Sequence, residues 1–261
     1  MRSLSIGATG MLAQQLNVEV ISNNIANLNT TGHKRQRAEF QDLIYQNLRR
    51  IGANSSDANT VVPAGIQVGV GVKTSAVYRI TEQGNLQLTE NPLDLAIQGK
   101  GYFRIQLPDG TDSYTRAGSF QISSTGQIVT QDGFTVQPAI AIPANATSVS
   151  INTSGQVQVK IPGQVAPQTL GSLDVVTFVN DAGLEAVGSN LFLETPSSGA
   201  PTIGTAGANG VGTILQGFLE TSNVNAVQEI TNLISAQRAY EMNSKVITAS
   251  DEMLRTVTQL R

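Results

Sequence analysis

His33, the sole histidine in a sequence with no cysteine, is the first residue that could in principle do chemistry. One imidazole suffices for a general base. His33 lies in TTGHKRQR, a turn-like stretch without a nucleophile elbow, and reads as a turn or interface residue. A zinc site would need further His or Cys ligands, and there is no HExxH and no EF-hand spacing. Two carboxylates are enough for glycoside hydrolysis. The candidates Glu82, Glu90, Asp94, Asp109, Asp112 and Asp132 fall at expected strand ends and turns, where acidic side chains usually bond their own backbone. Gly69–Gly71 and Gly99–Gly101 lack the third glycine of a dinucleotide loop and the Lys-Ser/Thr of a phosphate loop. The expectation is no catalytic residue, no metal, no cofactor and no enzyme.

The charge pattern narrows the partners. Only 13% of residues are charged and the formal net charge is -3, so no anionic polymer or membrane surface is indicated and nucleic acid is not expected. Lys34, Arg35, Arg37, Arg49 and Arg50 form a modest basic patch without interleaved aromatics, read as a solvated face or a contact for an acidic neighbouring subunit. A surface rich in Ser, Thr, Asn and Gln repels copies of itself weakly. The opening residues carry no continuous apolar segment followed by a cleavage site, so a cleaved signal peptide is not expected.

Two long helices are expected at the chain ends. Leu4, Met11, Val18 and Ile25 recur every seven residues, joined by Gln14, Ile21 and Leu28, which makes one stripe on a helix about 37 Å long. Leu233, Tyr240, Ile247 and Leu254 repeat that spacing, supported by Ile230, Ala236 and Val257. Asn225 followed by Gln228 fits a capping box, and Asp251 with Arg255 an i,i+4 ion pair. Gln14, Asn243 and Ser250 place polar groups in the seam, which cost stability but restrict register. A stripe this narrow has no core of its own, so the two helices are expected to pair as a coiled coil.

Between them the period changes to two. Ile66, Val68, Val70, Val72, Ala76, Tyr78 and Ile80 share one parity, as one half-buried strand or a bent pair. Leu95 with Ile97, and Phe103 with Ile105, alternate likewise, and Asp109-Gly110, Gly126 and Asp132-Gly133 punctuate the runs as hairpin turns do. No helical stretch separates these strands, so the fold class is mixed and mainly β: an antiparallel β domain with long terminal helices. The domains expected are residues 1–32 with 222–261 as the helical part, 33–65 as linker and extension, and 66–221 as the β-rich part. The segments 49–65 and 195–212 read as loops, the latter mobile or packed in extended form on a neighbour.

NNIANLNTTGHKRQRAEF, NPLDLAIQGKGYFRI, DGTDSYTRAGSF and the final GFLETSNVNAVQEITNLISAQRAYEMNSKVITASDEML stand in the order of the rod-and-hook axial proteins of the bacterial flagellum. The sequence resembles that family over well over half its length. The resemblance marks Asn23, Asn24, Asn27, Thr30, Gly32, Asn91, Asp94, Gly99, Gly101, Tyr114, Arg116, Gly118, Ser222, Asn223, Gln237, Arg238, Tyr240, Lys245 and Asp251 as motif positions. His33 stands where the family usually has Phe or Tyr. Length and the polar segment after Gln46 point to the straight distal rod, with proximal rod or hook subunits as the alternative. The resemblance implies a structural subunit polymerising into a rigid hollow tube that transmits torque and encloses the export channel. It further implies export through the flagellar type III apparatus without signal cleavage, and a basal-body location spanning periplasm to outer membrane. The partners implied are further copies, proximal rod proteins, the hook-side axial protein and the surrounding P and L rings. The seam expected to serve assembly is Leu4, Met11, Val18, Ile21, Ile25 and Leu28 with Ile230, Leu233, Tyr240, Ile247 and Leu254.

Overall fold

In a computed structural model, which describes residues 2–51, 64–208 and 210–259, the chain divides into two units. One joins Met1–Ile25, Gln36–Tyr78 and Asn225–Arg261; the other joins Ala26–Arg35 and Arg79–Val224.

The first unit contains helix α1, Arg2–Ala26, and helix α2, Ala226–Gln259. They pack against each other along small and polar residues. A Cβ on Gly7 would lie 2.9 Å from the Ile247 side chain, one on Gly10 would lie 2.8 Å from the Asn243 amide, and Asn24 bonds Glu229 at 3.1 Å. Ascending α1 therefore means descending α2, so the pair is antiparallel. Asn225 begins α2 by accepting the Gln228 N–H at 3.2 Å on its side-chain oxygen. The reciprocal half of the capping box does not form, because the Gln228 amide turns along the helix to Asn232. The expected pair Asp251–Arg255 closes at 3.1 Å with both side chains largely exposed, and so contributes little.

The same unit holds two antiparallel hairpin-like pairs. Gln36–Asp42 lies beside Val72–Arg79, and Tyr45–Arg49 pairs with Ile66–Gly69. The expected parity run from Ile66 is thus a bent pair of strands. It breaks at Gly71, whose φ of 136° is closed to most side chains. Residues 66–78 cluster with the helices, whereas the sequence reading grouped them with the β-rich part. Their neighbours in the sheet come from 36–49, which directly follows α1. Of the extension after Gln46, residues 52–63 lie outside the described residues.

The second unit is built on a nine-stranded sheet centred on Tyr102–Gln106. One edge of that strand pairs with Asp112–Thr115. The other is shared, with Asp174–Thr177 against Tyr102 and Phe103 and Thr135–Val136 against Ile105 and Gln106. Both faces are covered, so alternation gives way to nearly continuous burial. Phe103 and Ile105 enter one apolar cluster with Leu95, Ile97, Val157 and Val175, while Tyr102 enters a second with Tyr114, Val176, Leu184 and Phe192. Gly110, Gly126 and Gly133 hold φ near +85° in the expected turns, at 84°, 83° and 86°. The stretch 195–212 is not a loop throughout. Thr202–Thr205 forms a strand against Asp174–Thr177, where paired backbone replaces the apolar pattern that small residues cannot supply.

Candidate assembly surface and buried junction

The functional candidates of this chain are surfaces and the joints that hold them. The joint of the second unit is an ion triad. Glu220, whose side chain is fully buried, accepts Lys34 Nζ at 2.6 Å and the Gly84 N–H at 2.9 Å on Oε1, and Arg116 Nε at 2.7 Å on Oε2. Two cations against one anion leave an excess positive charge in a dry place. Backbone carbonyls offset it: Lys34 also donates to Glu82 O at 2.8 Å, and Arg116 to Gly101 O and Gly99 O at 2.7 Å and to Ile97 O at 3.2 Å. Gly99 and Gly101, at φ of 105° and 139°, fold their carbonyls around the guanidinium. Burial pushes the Lys34 ammonium below the usual lysine range, with Glu220 pulling the other way. Burial also raises the Asp181 carboxyl, opposed by Lys100, Arg116 and Lys34.

Around the triad the motif positions act as backbone partners. Gly32 donates its N–H to Glu220 O at 2.8 Å, and a Cβ there would approach the Ala117 nitrogen to 2.8 Å, so the turn after α1 can touch this backbone only through glycine. Asn223 accepts the Arg35 N–H at 2.7 Å and donates to Ile80 O and Glu82 O, both at 2.9 Å. Asn91 donates to the Asp94 carboxylate at 3.0 Å, and Gly118 O accepts the Leu95 N–H at 2.9 Å. Thr30 donates through its hydroxyl to Asn27 Oδ1 at 3.1 Å, Ser222 Oγ accepts the Val224 N–H at 3.3 Å, and Tyr114 is buried against Phe178.

Lys34 therefore corrects the expectation of a solvated basic patch. Its charge is spent inside the chain on Glu220, which sequence reasoning passed over. The only local signal was a charged residue within the apolar-polar alternation of GFLETSN, and the partners lie 186 and 104 residues away. His33 is half-buried; its Nε2 has no hydrogen-bond partner, and burial lowers its pKa. Three of the considered carboxylates, Asp94, Asp109 and Asp112, have structural partners of their own. Asp109 accepts from the Thr111 N–H and hydroxyl at 2.9 and 2.6 Å, and Asp112 pairs with Arg104 at 3.5 Å. Among the described residues no cluster of His, Cys, Asp or Glu could hold a metal ion.

In the helical unit the burial is inverted relative to the sequence pattern. Among the described residues, the buried positions of α2 are Glu229, Ala236 and Ser250, and those of α1 are Gly7, Ala13, Val20, Ile21 and Asn24. Leu4, Met11, Val18, Ile25, Leu233 and Ile247 are half-buried, as is Leu28 in the second unit. Ile230, Tyr240 and Leu254 remain exposed, at 49%, 44% and 39%. Val227, Ile234, Met242, Val246 and Met253 are exposed as well, so the outward faces of α2 carry most of its apolar side chains. The motif positions Gln237, Arg238, Lys245 and Asp251 lie on the same exposed helix, and Asn23 is exposed on α1. A stable monomer seldom shows so much apolar surface on one element.

Comparison with known proteins agrees along the whole chain. Residues 4–34 match the model described as flagella basal body rod protein, residues 96–159 the flagellar hook protein FlgE/F/G D1 domain, and residues 215–260 the flagellar basal body rod FlgEFG protein C-terminal model. The chain is 61% identical over 261 residues to the flagellar basal-body rod protein FlgG of Caulobacter vibrioides, covering 100% of both chains. It is 52% identical to the protein of that name from Agrobacterium fabrum, over 99% of each chain. Against the one from Bacillus subtilis it is 41% identical, over 100% of this chain and 99% of the other.

Proposed function

The chain belongs to the flagellar basal-body rod protein family, and from that premise we propose that it is a structural subunit polymerising into the distal rod. It performs no catalysis. The observation that carries the reading is the outward apolar face of α2, left uncovered while the helix pair is sealed by small and polar groups. In a helical polymer one patch meets a different patch on the next copy, because a heterologous contact does not close. Ile230, Ile234 and Val246 are the contacts assigned to neighbouring copies, and Leu233 and Ile247 serve both the partner helix and the next copy. Burying one such side chain contributes about 1.5–3 kcal/mol.

The reading extends to the partners. The tube stands in the periplasmic basal body, reaches the outer membrane, continues from proximal rod proteins and ends at the hook-side axial protein. P and L rings surround it, and the subunit travels through the flagellar type III export apparatus. Family membership and the full-length agreement with FlgG proteins support these assignments.

The direct test is sedimentation of the purified chain followed by electron microscopy. Filaments whose formation depends on concentration are expected, and Ile230→Asp with Ile234→Asp abolishes them. A closed oligomer, or filaments unaffected by the double substitution, overturns the proposal.

A further inference from the structure

The antiparallel helix pair raises a problem of register that its packing alone does not solve. Glu229, Ala236, Asn243 and Ser250 recur every seven residues on α2; Glu229 faces Asn24 and Asn243 faces Gly10 on α1, where Asn17 and Ser3 continue the spacing. None is a large apolar residue. Shifting one helix by seven residues exchanges small and polar groups for other small and polar groups at these positions, so register rests on a few particular contacts. Three contacts are not exchangeable. Ile247 packs over Gly7, where a Cβ would stand 2.9 Å from its side chain. The Asn243 amide lies over Gly10, where any side chain would collide with it. Asn24, 1% exposed, donates to the Glu229 carboxylate at 3.1 Å, and Glu229 is itself 2% exposed.

Asn17 occupies the position one heptad before Asn24 and offers the same amide, so the identity of the side chain does not decide between them. What distinguishes Asn24 is a second anchorage. Its Oδ1 accepts the Gln36 N–H and its Nδ2 donates to Gln36 O, both at 2.8 Å, so the first residue of the strand after α1 fixes its amide. We propose that Asn24, held by the Gln36 backbone, is the positioning residue that sets the register of the two terminal helices through Glu229. The clasp lies at the end of α1 nearest the rest of the chain, where register is decided before the far ends of the helices meet. A buried polar contact that a slip would break is a well-attested register device.

The absence of cysteine allows a clean test in the full chain. Gly7→Cys with Ile247→Cys reports the observed register. Gln14→Cys with Ile247→Cys, and Gly7→Cys with Tyr240→Cys, report slips of one heptad in either direction. After mild oxidation of dilute monomer, the intrachain disulfides are quantified by mass spectrometry. In the parent background the first pair dominates. Glu229→Leu raises the slipped fraction relative to the native by about tenfold, whereas Glu229→Gln, which still accepts the Asn24 amide, leaves the ratio near the parent value. Asn243→Ala, which spares the clasp, shifts the ratio less than Glu229→Leu does. The proposal is overturned if Glu229→Leu changes the ratio no more than Glu229→Gln does. It is equally overturned if all three disulfides vanish in Glu229→Leu, since the pair would then govern association and not register.

Discussion

The two units solve the burial problem in opposite ways. The β unit keeps Phe103, Ile105, Val157 and Val175 at 0% exposure and so builds a core within one copy, with Leu88, Val165 and Val179 left on its surface. The helical unit seals its inner seam with Gly7, Gly10, Ala236 and Ser250 and leaves Val227, Ile230, Ile234 and Met253 in solvent. A unit complete in one copy and a unit completed by other copies can share one chain. The difference tells which substitutions should damage the folded monomer and which only the polymer.

The comparison is broken most easily from the β side. Phe103→Ala removes a ring packed edge-on against Phe120 at 5.2 Å between centroids, and is expected to cost about 3–5 kcal/mol of monomer stability in denaturant unfolding. Glu220→Ala should approach that loss, about 3–5 kcal/mol, because Lys34 and Arg116 stay buried without their anion. Replacing Glu220 by Gln should cost less than Ala, since the amide oxygen still accepts. A Leu233→Ala variant, half-buried on the seam, should lower monomer stability by about 1–2 kcal/mol and also weaken assembly. Ile230→Ser with Ile234→Ser should leave the monomer within about 0.5 kcal/mol of the parent while filament yield collapses. A monomer loss matching that of Phe103→Ala would show that these residues belong to an intrachain core, and the contrast between the units would fail.

The smallest effect concerns pH. Burial holds the folded His33 pKa below 6.5, so in the interval between its folded value and 6.5 the unfolded chain binds the extra proton. Stability from this group therefore falls on acidification below about pH 6.5 and is restored on raising the pH. His33→Gln should flatten that part of the profile in thermal melts at a series of pH values. A profile unchanged in slope would mean that the imidazole protonates equally well in both states.

Features governed by near neighbours in the chain were legible in the residues. Period seven gave both helices, Asn225 gave the start of α2, and Asp109-Gly110 gave its turn because the Asp109 carboxylate binds only two residues on. The Lys34–Glu220–Arg116 triad was not legible, since its members are brought together by sheet pairing between segments far apart in sequence. Thr202–Thr205 escaped for a related reason: its partner strand, not its own side chains, supplies the apolar burial. Which side chains meet between the helices was not legible. Seven-residue spacing identifies which side chains share a face, while Gly7 and Gly10 decide which face can come closest to α2.

One consequence of the triad is mechanical. Lys34 follows shortly after α1 and Glu220 stands shortly before α2, so the segments adjoining the two helices are tied to each other through one carboxylate. A displacement of either segment is felt by the same carboxylate, and through it by Arg116 and the carbonyls that grip it. Two stretches far apart in the chain are thereby made to move together.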